Sequence, residues 1–409
     1  MPQENPIVDF TNTEVAFKDR NNMELKRMYY LFKVMNNPAL VNVGSRLALF
    51  GIRINFPLVN WLIRKTIFDH FCGGENLHDC QSRIDRLAAY NIQTILDYGA
   101  ERKSSEEEFD QTLAETLRAL EFASNNKSVP CISTKMTGMA DIDLLEKVQS
   151  GKELTSEETV AFEKFKGRLE TIGKKAFDTG MAVYVDAEES WIQDPIDALL
   201  DDLMAEFNKK RASLFNTVQL YRHDRLDFFY KSHERARQGK YILGMKLVRG
   251  AYMDKERERA EELGYPSPIH EDKPAVDKDY NEAVRYCVEH YETIASCNAS
   301  HNWASNALQA QLIDDRGILK NHPHLNFCQL YGMSDNITFN LADQGYNVAK
   351  YLPYGPVKEV ISYLIRRAEE NTSVSGDMSR ELRLLAEEMK RRKKKELKMG
   401  KRQREEIQS

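Results

Sequence analysis

The run Ile242-Leu-Gly-Met-Lys-Leu-Val248 is short and mostly apolar, and Arg249 follows it directly. A helical pattern occupies 279–291, and a second run of the same kind, ETIASCN, occupies 292–298. Short apolar strands that alternate with amphipathic helices are typical of a parallel sheet, because each crossover helix covers one face of the sheet. This stretch therefore predicts a strand–helix–strand unit with two parallel strands.

The same alternation extends over most of the 409 residues. We predict eight strands, at 92–98, 129–135, 181–186, 214–221, 242–248, 292–298, 324–330 and 347–352. Helical patterns lie between or after them, at 106–124, 156–178, 195–210, 224–238, 279–291, 302–315, 335–344 and 356–371. Eight strand–helix units predict an α/β fold, a closed (β/α)8 barrel.

The chain divides into three parts. Residues 1–89 predict an N-terminal helical arm, and residues 90–375 the barrel, with a helical insertion at about 137–178. Residues 376–409 predict a basic C-terminal tail, either helical or disordered. Between Lys390 and Glu406 the tail has ten basic and three acidic residues, a net charge of +7 against −5 for the whole chain. Such a tail is either a solvated end or an anchor on anionic lipid, whereas the body has no basic stripe that would suit nucleic acid.

The cysteines and the apolar segments indicate the cellular environment. The six cysteines form no CxxC pair and predict buried free thiols in a reducing compartment; they are Cys72, Cys80, Cys131, Cys287, Cys297 and Cys328. The sequence contains no signal-peptide pattern and no uncharged apolar stretch of ~18 residues. We therefore expect a cytoplasmic protein, at most peripheral on the inner face of the membrane. The apolar segment 47–71 favours a helix pair packed on the main body and leaves open an amphipathic membrane-surface segment.

Polar side chains end most of the predicted strands. In such barrels the functional groups cluster at the carboxyl ends of the strands and in the loops that follow. Lysines and arginines on several of these ends predict a site for an anionic ligand. The residues at these places are Asp97, Glu101, Lys135, Asp186, Glu188, Gln219, Lys246, Arg249, His301, Asn302, Leu330 and Tyr351.

The last barrel helix carries Tyr363 three and four positions before Arg366 and Arg367, so the three side chains share one helix face. Guanidinium groups bind carboxylates bidentately, and an aromatic ring beside them can cover an apolar ligand ring. The combination suits a small amino or imino acid. A solvated arginine pair over a core tyrosine is the alternative. No GxGxxG motif follows a strand, so the usual dinucleotide fold is not indicated, and no metal site is predicted.

Eight segments together resemble the proline dehydrogenase family, in order and at fitting spacings across roughly residues 90–371. They are ISTK (132–135), VDAEES (185–190), TVQLY (217–221), KLVRGAY (246–252), SHN (300–302), QLYGM (329–333), YLPYGP (351–356) and YLIRRAEEN (363–371). The resemblance is to the single-function, eukaryotic-type branch, because many bacterial members have Arg and Lys where this chain has Lys246 and Arg249.

The resemblance implies a distorted (β/α)8 barrel that holds FAD without a dinucleotide fold. It implies oxidation of L-proline to Δ1-pyrroline-5-carboxylate by hydride transfer to FAD, with electrons passed to a membrane quinone, as the first step of proline catabolism. We expect no aldehyde dehydrogenase domain fused to the barrel, and a separate pyrroline-5-carboxylate dehydrogenase as the partner. Contact with the membrane would be peripheral.

The resemblance also implies roles for single residues, with Lys246, Lys135 and Asp186 as the catalytic set. Lys246 would lie at the reactive edge of the flavin, and Asp186 would order the basic side chains. Glu101 would act as a gate paired with the first arginine of the couplet. The substrate-binding residues would be Lys135, Tyr252, Leu330, Tyr351, Tyr363, Arg366 and Arg367, and the cofactor-binding residues Gln219, Lys246, Arg249, Ser300, His301 and Glu370.

Three alternatives stay open at this point. The first is a 4-hydroxyproline dehydrogenase, which Tyr351 at the end of the eighth strand argues against, because hydroxyproline-oxidising relatives carry a small serine there. The second is a barrel lyase or hydrolase without flavin that uses Lys135 or Lys246 as a base or Schiff-base amine. The third is a non-enzymatic helical adaptor.

Overall fold

The strands of the barrel were predicted to within two residues at almost every boundary. A computed structural model describes the backbone of residues 7–54, 56–373 and 377–408, and the side chains of residues 7–54, 56–369 and 380–399. Eight parallel strands close into one barrel in chain order, and the last pairs with the first. They are β1 (Gln93–Tyr98), β2 (Cys131–Lys135), β3 (Ala182–Asp186), β4 (Leu214–Gln219), β5 (Leu243–Val248), β6 (Ile294–Ala299), β7 (Leu325–Leu330) and β8 (Val348–Tyr354). The predicted (β/α)8 barrel is confirmed.

The N-terminal arm is helical. Asn21 caps the second helix through a capping box with Glu24, and Asn37 caps the third, which has Pro38 in its first turn. The arm helices are α1 (Thr13–Ala16), α2 (Asn22–Met35), α3 (Pro38–Arg53), α4 (Pro57–Ile63), α5 (Asp69–Phe71) and α6 (Leu77–Ala88), with a π-helical turn at Arg64–Phe68.

Eleven further helices within the described ranges surround the barrel or follow it. They are α7 (Glu106–Ser124), α8 (Ile142–Gln149), α9 (Ser156–Thr179), α10 (Ser190–Phe207), α11 (Arg225–Gly239), α12 (Met253–Leu263), α13 (Lys273–Glu289), α14 (Trp303–Asp315), α15 (Asp335–Asp343), α16 (Val357–Ser373) and α17 (Asp377–Gln408). Helices α8 and α9 occupy the predicted insertion. Helix α12 was not predicted, because its sequence MDKERERAEEL has no apolar stripe and buries only Glu256 and Ala260.

The barrel interior is filled at mid-height by Tyr184, Phe215 and Tyr351. All six cysteines are buried and free, as predicted. At the amino ends of the strands, small side chains such as Ala182, Ala295 and Ala349 line a cavity of about 360 Å³. The polar side chains lie at the opposite, carboxyl ends of the strands.

The C-terminal segment is helical and packs on the arm. Leu384 and Leu385 of α17 are fully buried in a cluster that includes Phe17 and Phe32. The Glu388 carboxylate is buried and accepts hydrogen bonds from Thr13 and from two arginines of its own helix. Helix α17 is therefore anchored on α1 and α2 by both apolar and charged contacts. Among the described residues, no helix is long and apolar enough to cross a bilayer.

Candidate active site

The Asp186 carboxylate is the centre of the polar cluster at the carboxyl ends of the strands. The Lys246 ammonium donates to its Oδ1 at 2.7 Å, and the Ser133 hydroxyl donates to the same oxygen at 2.6 Å. The Tyr351 hydroxyl donates to Oδ2 at 2.7 Å. Burial acts to raise the pKa of Asp186, but Lys246 and Lys135 hold it below its usual value. Asp186 is thus a largely buried, ionised acceptor that orients the side chains of three other strands.

Lys135 at the end of β2 forms the neighbouring ion pair. Its Nζ lies 3.1 Å from Asp97 Oδ2 and 3.3 Å from Oδ1. Burial acts to lower the pKa of Lys135, but Asp97 and Asp186 raise it above its usual value. Burial also acts to lower the pKa of Lys246, and Asp186 raises it. Both lysines are therefore protonated, which argues against either one as a base or a Schiff-base amine.

Tyr351 is not the end of the eighth strand, contrary to the prediction. Strand β8 continues to Tyr354, because Asp97 and Tyr98 of β1 pair with Pro353 and Tyr354. Tyr351 is therefore in the middle of the strand, with its ring in the barrel and its hydroxyl directed at Asp186. The Lys246 Nζ lies 4.7 Å from the centroid of this ring, at cation–π distance.

The arginine couplet of α16 faces the same end of the barrel. Arg366 Nη2 lies 2.9 Å from Glu101 Oε1, and its guanidinium carbon is 5.8 Å from the centroid of the Tyr252 ring. Arg367 is buried, with its guanidinium 5.3 Å from the centroid of the Tyr363 ring. The couplet is therefore not a solvated surface pair. Leu330 packs between the barrel interior and the cluster under α16.

Arg249 is held after β5 by groups on other elements. It donates to Asp277 Oδ1 from Nη2 at 2.7 Å and from Nε at 2.9 Å. It also donates to the hydroxyls of Ser300 at 2.8 Å and Ser305 at 2.9 Å. Its guanidinium lies 4.1 Å from the centroid of the Tyr280 ring. These contacts fix the plane of a guanidinium that remains partly exposed at the site.

His301 is a neutral, partly buried imidazole in cationic surroundings. Its Nδ1 lies 2.9 Å from the Ser334 hydroxyl, and Arg380 of α17 donates to its backbone carbonyl at 3.1 Å. Burial, together with the charges of Lys350, Arg367, Arg380 and Arg249, holds its pKa well below the usual value. Positive charge is therefore concentrated around this side chain. The side chain of Glu370 lies outside the described residues.

Gln219 ends β4 and donates from Nε2 to the backbone carbonyl of Glu188 at 2.9 Å. The Glu188 carboxylate is buried and accepts from the Thr137 amide at 3.0 Å and the Thr137 hydroxyl at 2.6 Å. Burial and the charge of Glu189 raise its pKa from 4.5 to about 7. A carboxylate with hydrogen bonds but no direct cation partner is costly to ionise inside a protein.

This carboxylate gives a pH-dependent prediction. Because folding raises the pKa of Glu188, the folded state binds the proton more tightly, and stability falls as pH rises from 4.5 to about 7. Glu188→Gln cannot ionise, so its stability relative to wild type should increase across that window, by on the order of 3 kcal/mol. The measurement is urea unfolding at about pH 5.5 and about pH 8, with exposed Glu107→Gln as the control. An equal difference at both pH values would contradict the assignment.

The structure places several of the predicted side chains in one cluster at the carboxyl ends of the strands. The lysine cluster and the arginine couplet are adjacent, because the pKa of Lys135 is affected by the charges of Asp97, Asp186, Glu101 and Arg366. Sequence reasoning did not assign Ser133, Asp277 and Ser305 to the site. Ser133 could have been found, because it lies two positions before Lys135 on the same face of a strand. Asp277 and Ser305 lie on helices with no local signal. In the described part of the chain, no three His, Cys, Asp or Glu side chains are grouped to hold a metal ion.

A closed parallel barrel with four cations near the carboxyl ends of its strands has the architecture of a barrel enzyme, whose functional groups lie at that end. The family model described as proline dehydrogenase matches residues 80–380 of this chain. The chain belongs to the proline dehydrogenase family, whose members are flavin-dependent oxidoreductases that act on proline.

Three known proteins illustrate the similarity. The carbapenem antibiotics biosynthesis protein CarD of Pectobacterium carotovorum is 32% identical over 347 residues, which cover 85% of this chain and 90% of that protein. The mitochondrial proline dehydrogenase 1 of Arabidopsis thaliana is 30% identical over 381 residues, covering 82% of this chain and 76% of that protein. Proline utilization A of Bdellovibrio bacteriovorus, inactivated by N-propargylglycine, has the same fold, with a TM-score of 0.69 at 20% identity. The structural alignment covers 92% of this chain and 40% of that longer chain.

Proposed function

We propose that this protein oxidises L-proline to Δ1-pyrroline-5-carboxylate, with FAD as the hydride acceptor and a membrane quinone as the final electron acceptor. The observation that carries the proposal is the ordered set of cations, Lys135, Lys246, Arg366 and Arg367, around the carboxyl ends of β2 and β5 and on α16. Family membership supplies the reaction class, and this set supplies a reason for a substrate with a carboxylate.

Arg366, Arg367 and Lys135 are the proposed clamp for the proline carboxylate. Arg366 is paired with Glu101 and Lys135 with Asp97, so neither cation is left without a counter-charge before substrate binds. A carboxylate that enters next to Arg366 competes with Glu101 for the same guanidinium. Glu101 therefore acts as a gate whose release accompanies substrate binding. Tyr252, Tyr363 and Leu330 would cover the apolar ring and exclude water.

The residues present fit FAD. Cations, an amide and a hydroxyl are offered by residues at the ends of β4, β5 and β6 and directly after β5 and β6. They are Gln219, Lys246, Arg249, Ser300 and His301. The positive charge around neutral His301 suits a diphosphate, and Arg249 is held rigidly by Asp277. Lys246 would lie by the isoalloxazine and Arg249 by the diphosphate. Ser300, His301 and Glu370 would lie toward the adenosine part of FAD.

When bound, the flavin would accept a hydride from C5 of proline. The protein's own contribution is position and charge, because hydride transfer needs the reacting atoms within about 3–3.5 Å. Asp186 holds Lys246 protonated and directed, and Lys246 supplies positive charge where negative charge develops. Asp186 is thus a positioning residue, and Lys135 contributes both to the clamp and to this charge balance.

The product is a cyclic imine, which water opens to an amino aldehyde. Oxidation of that aldehyde gives a dicarboxylate, a step that we assign to a separate pyrroline-5-carboxylate dehydrogenase. A quinone acceptor requires peripheral contact with a membrane. The basic residues at the end of α17 are one candidate for that contact. We propose a location in the cytoplasm or on the inner face of the membrane. The Arabidopsis relative is a mitochondrial proline dehydrogenase.

The test is a visible spectrum of the purified protein followed by anaerobic titration with L-proline. Two flavin absorption bands, bleached by proline in proportion to bound flavin, are expected. A folded protein that neither contains nor takes up FAD would contradict the proposal and favour a barrel enzyme without flavin. A flavoprotein bleached by trans-4-hydroxy-L-proline but not by proline would favour the hydroxyproline alternative.

The side chain of Tyr351 provides a test of the hydroxyproline dehydrogenase alternative. We expect the wild-type enzyme to have a higher kcat/KM for proline than for trans-4-hydroxy-L-proline. Tyr351→Ser should lower the kcat/KM for proline at least about tenfold and reduce the difference in kcat/KM between the two substrates. The ring fills space beside the substrate and crowds a 4-hydroxyl. Tyr351→Phe keeps the ring and loses only the hydrogen bond to Asp186, so it should retain the preference. Loss of preference in the Phe variant would show that the hydroxyl, not the ring volume, discriminates.

A further inference from the structure

Helix α3 exposes an unbroken apolar stripe. Leu40, Val43, Leu47 and Phe50 follow one another at alternating spacings of three and four, so they share one helix face, and Ile54 continues the spacing at the C-cap. Their exposed fractions lie between 54 and 62%. Exposed large apolar side chains are normal when scattered, but a contiguous stripe of five indicates a binding surface.

Helix α4 extends this stripe into one surface. The two helices touch at Gly51, where a Cβ atom would come within 2.7 Å of Val59, so their exposed faces are neighbours. Phe56, Leu58, Trp61 and Leu62 add side chains that are 47 to 57% exposed. We call the exposed apolar residues of α3, α4 and their connection the α3–α4 surface.

The charged residues within the segment that forms this surface are all basic. Between Pro38 and Phe68 the sequence has four basic residues and no acidic residue, although the whole chain has a net charge of −5. Arg46 and Arg53 are exposed beside the α3 stripe, and Arg64 and Lys65 follow α4. Arg64 pairs with Glu75 at 2.6 Å. The surface therefore combines apolar side chains, a tryptophan and flanking cations.

The opposite side of α3 is already used by the fold. Val41 is buried, and Ala48 and Ile52 pack on a cluster that contains Val360 and Tyr363 of α16. The hairpin is thus anchored on the helix that carries the arginine couplet. Its outer face takes no part in the core, so its apolar character has no explanation inside the protein.

We propose that the α3–α4 surface binds an anionic phospholipid bilayer, with the apolar side chains in the interfacial region and the arginines at the lipid headgroups. An amphipathic element with Trp, Phe and Leu on one face and basic flanks is the pattern of an interfacial segment. A second copy of the chain fits less well, because a symmetric contact pairs this basic segment with itself, and the segment supplies no acidic partner. The inference rests on the peripheral membrane contact of the proposed function and assigns that contact to one surface. Vesicle binding needs neither proline nor flavin, so the inference and the proposed reaction can fail separately.

The basic end of α17 is a different surface. Lys395 lies 3.8 Å from Glu14, and Asn22 at the start of α2 bonds to Glu396 at 3.1 Å. Helix α3 follows the other end of α2. Variants of the two surfaces can therefore separate their contributions.

The experiment is flotation of the full-length protein with vesicles of phosphatidylcholine alone or with a third phosphatidylglycerol, at low salt. Wild type should bind the anionic vesicles, and Leu47→Ser/Phe50→Ser should weaken binding at least about tenfold. Both side chains are more than half exposed, so the variant should keep its fold. Leu263→Ser/Leu319→Ser removes two equally exposed apolar side chains elsewhere and should bind as wild type. Insertion should also shift Trp61 emission to the blue, a signal that Trp61→Phe removes.

Any of the following results would contradict the proposal that the α3–α4 surface binds the bilayer. Wild type that ignores anionic vesicles, or a Leu47→Ser/Phe50→Ser variant that binds as wild type, excludes this surface. Loss of binding in Lys393→Ala/Lys394→Ala/Lys398→Ala, with the α3–α4 variant unaffected, moves the contact to α17. A dimer of wild type that Leu47→Ser/Phe50→Ser converts to a monomer, without vesicle binding by either, assigns the surface to a second copy.

Discussion

Arg366→Ala and Arg367→Ala are each expected to raise the KM for proline roughly 10- to 150-fold, because each removes a charge-assisted hydrogen bond worth about 1.5–3 kcal/mol. Flavin content should stay near one per chain in the Arg366 variant. The increase in KM should be larger for Arg366→Ala than for Arg367→Ala, for a further reason. Glu101, which accepts from Arg366 at 2.9 Å, would be left as an unpaired carboxylate beside the substrate carboxylate.

Steady-state kinetics with a dye acceptor measure this effect. Lys358→Ala is the matched control, since it removes an exposed cation from the same helix and should leave KM unchanged. Arg366→Ala/Glu101→Gln should recover part of the loss, because it removes the repulsive carboxylate. Normal KM values in both single variants would show that the couplet does not bind the substrate.

Lys246→Ala is expected to slow flavin reduction by proline roughly 100- to 1,000-fold, the size of effect seen when one preorganised charge-stabilising donor is removed. The affinity for proline should change much less, because the clamp is formed by other residues. The lost partner also leaves Asp186 buried with one counter-charge fewer, so a stability loss of about 3–5 kcal/mol is expected alongside. Stopped-flow absorbance, normalised to bound flavin, gives the rate.

Two variants separate charge from general disturbance of the carboxylate. Ser133→Ala also removes one hydrogen bond to Asp186 Oδ1 but no charge, so it should retain most of the rate. Lys246→Arg keeps the charge and should recover part of it. A fully flavinated Lys246→Ala enzyme with an unchanged reduction rate would remove Lys246 from the reactive edge.

The strands and most barrel helices could be predicted because their signal is local. Apolar periodicity within ten or so residues distinguishes strand from helix, and the eight units then leave few topologies. Helix α12 shows the limit of this signal: its charged sequence buries almost nothing, so it has no stripe to detect. The end of β8 was placed too early for a related reason, because pairing with β1 extends the strand through Pro353.

The sequence by itself determined the barrel, the buried thiols and the presence of an arginine couplet on one helix face, since each depends on neighbours along the chain. Tertiary structure alone decided the partners of the cations. Glu101 meets Arg366 and Asp186 meets Lys246 across 265 and 60 residues, contacts that exist only after the barrel closes and sets its register. The same is true of the N-terminal arm. The sequence shows which helix faces are apolar, but only the tertiary structure shows which of these faces the protein buries and which it leaves exposed.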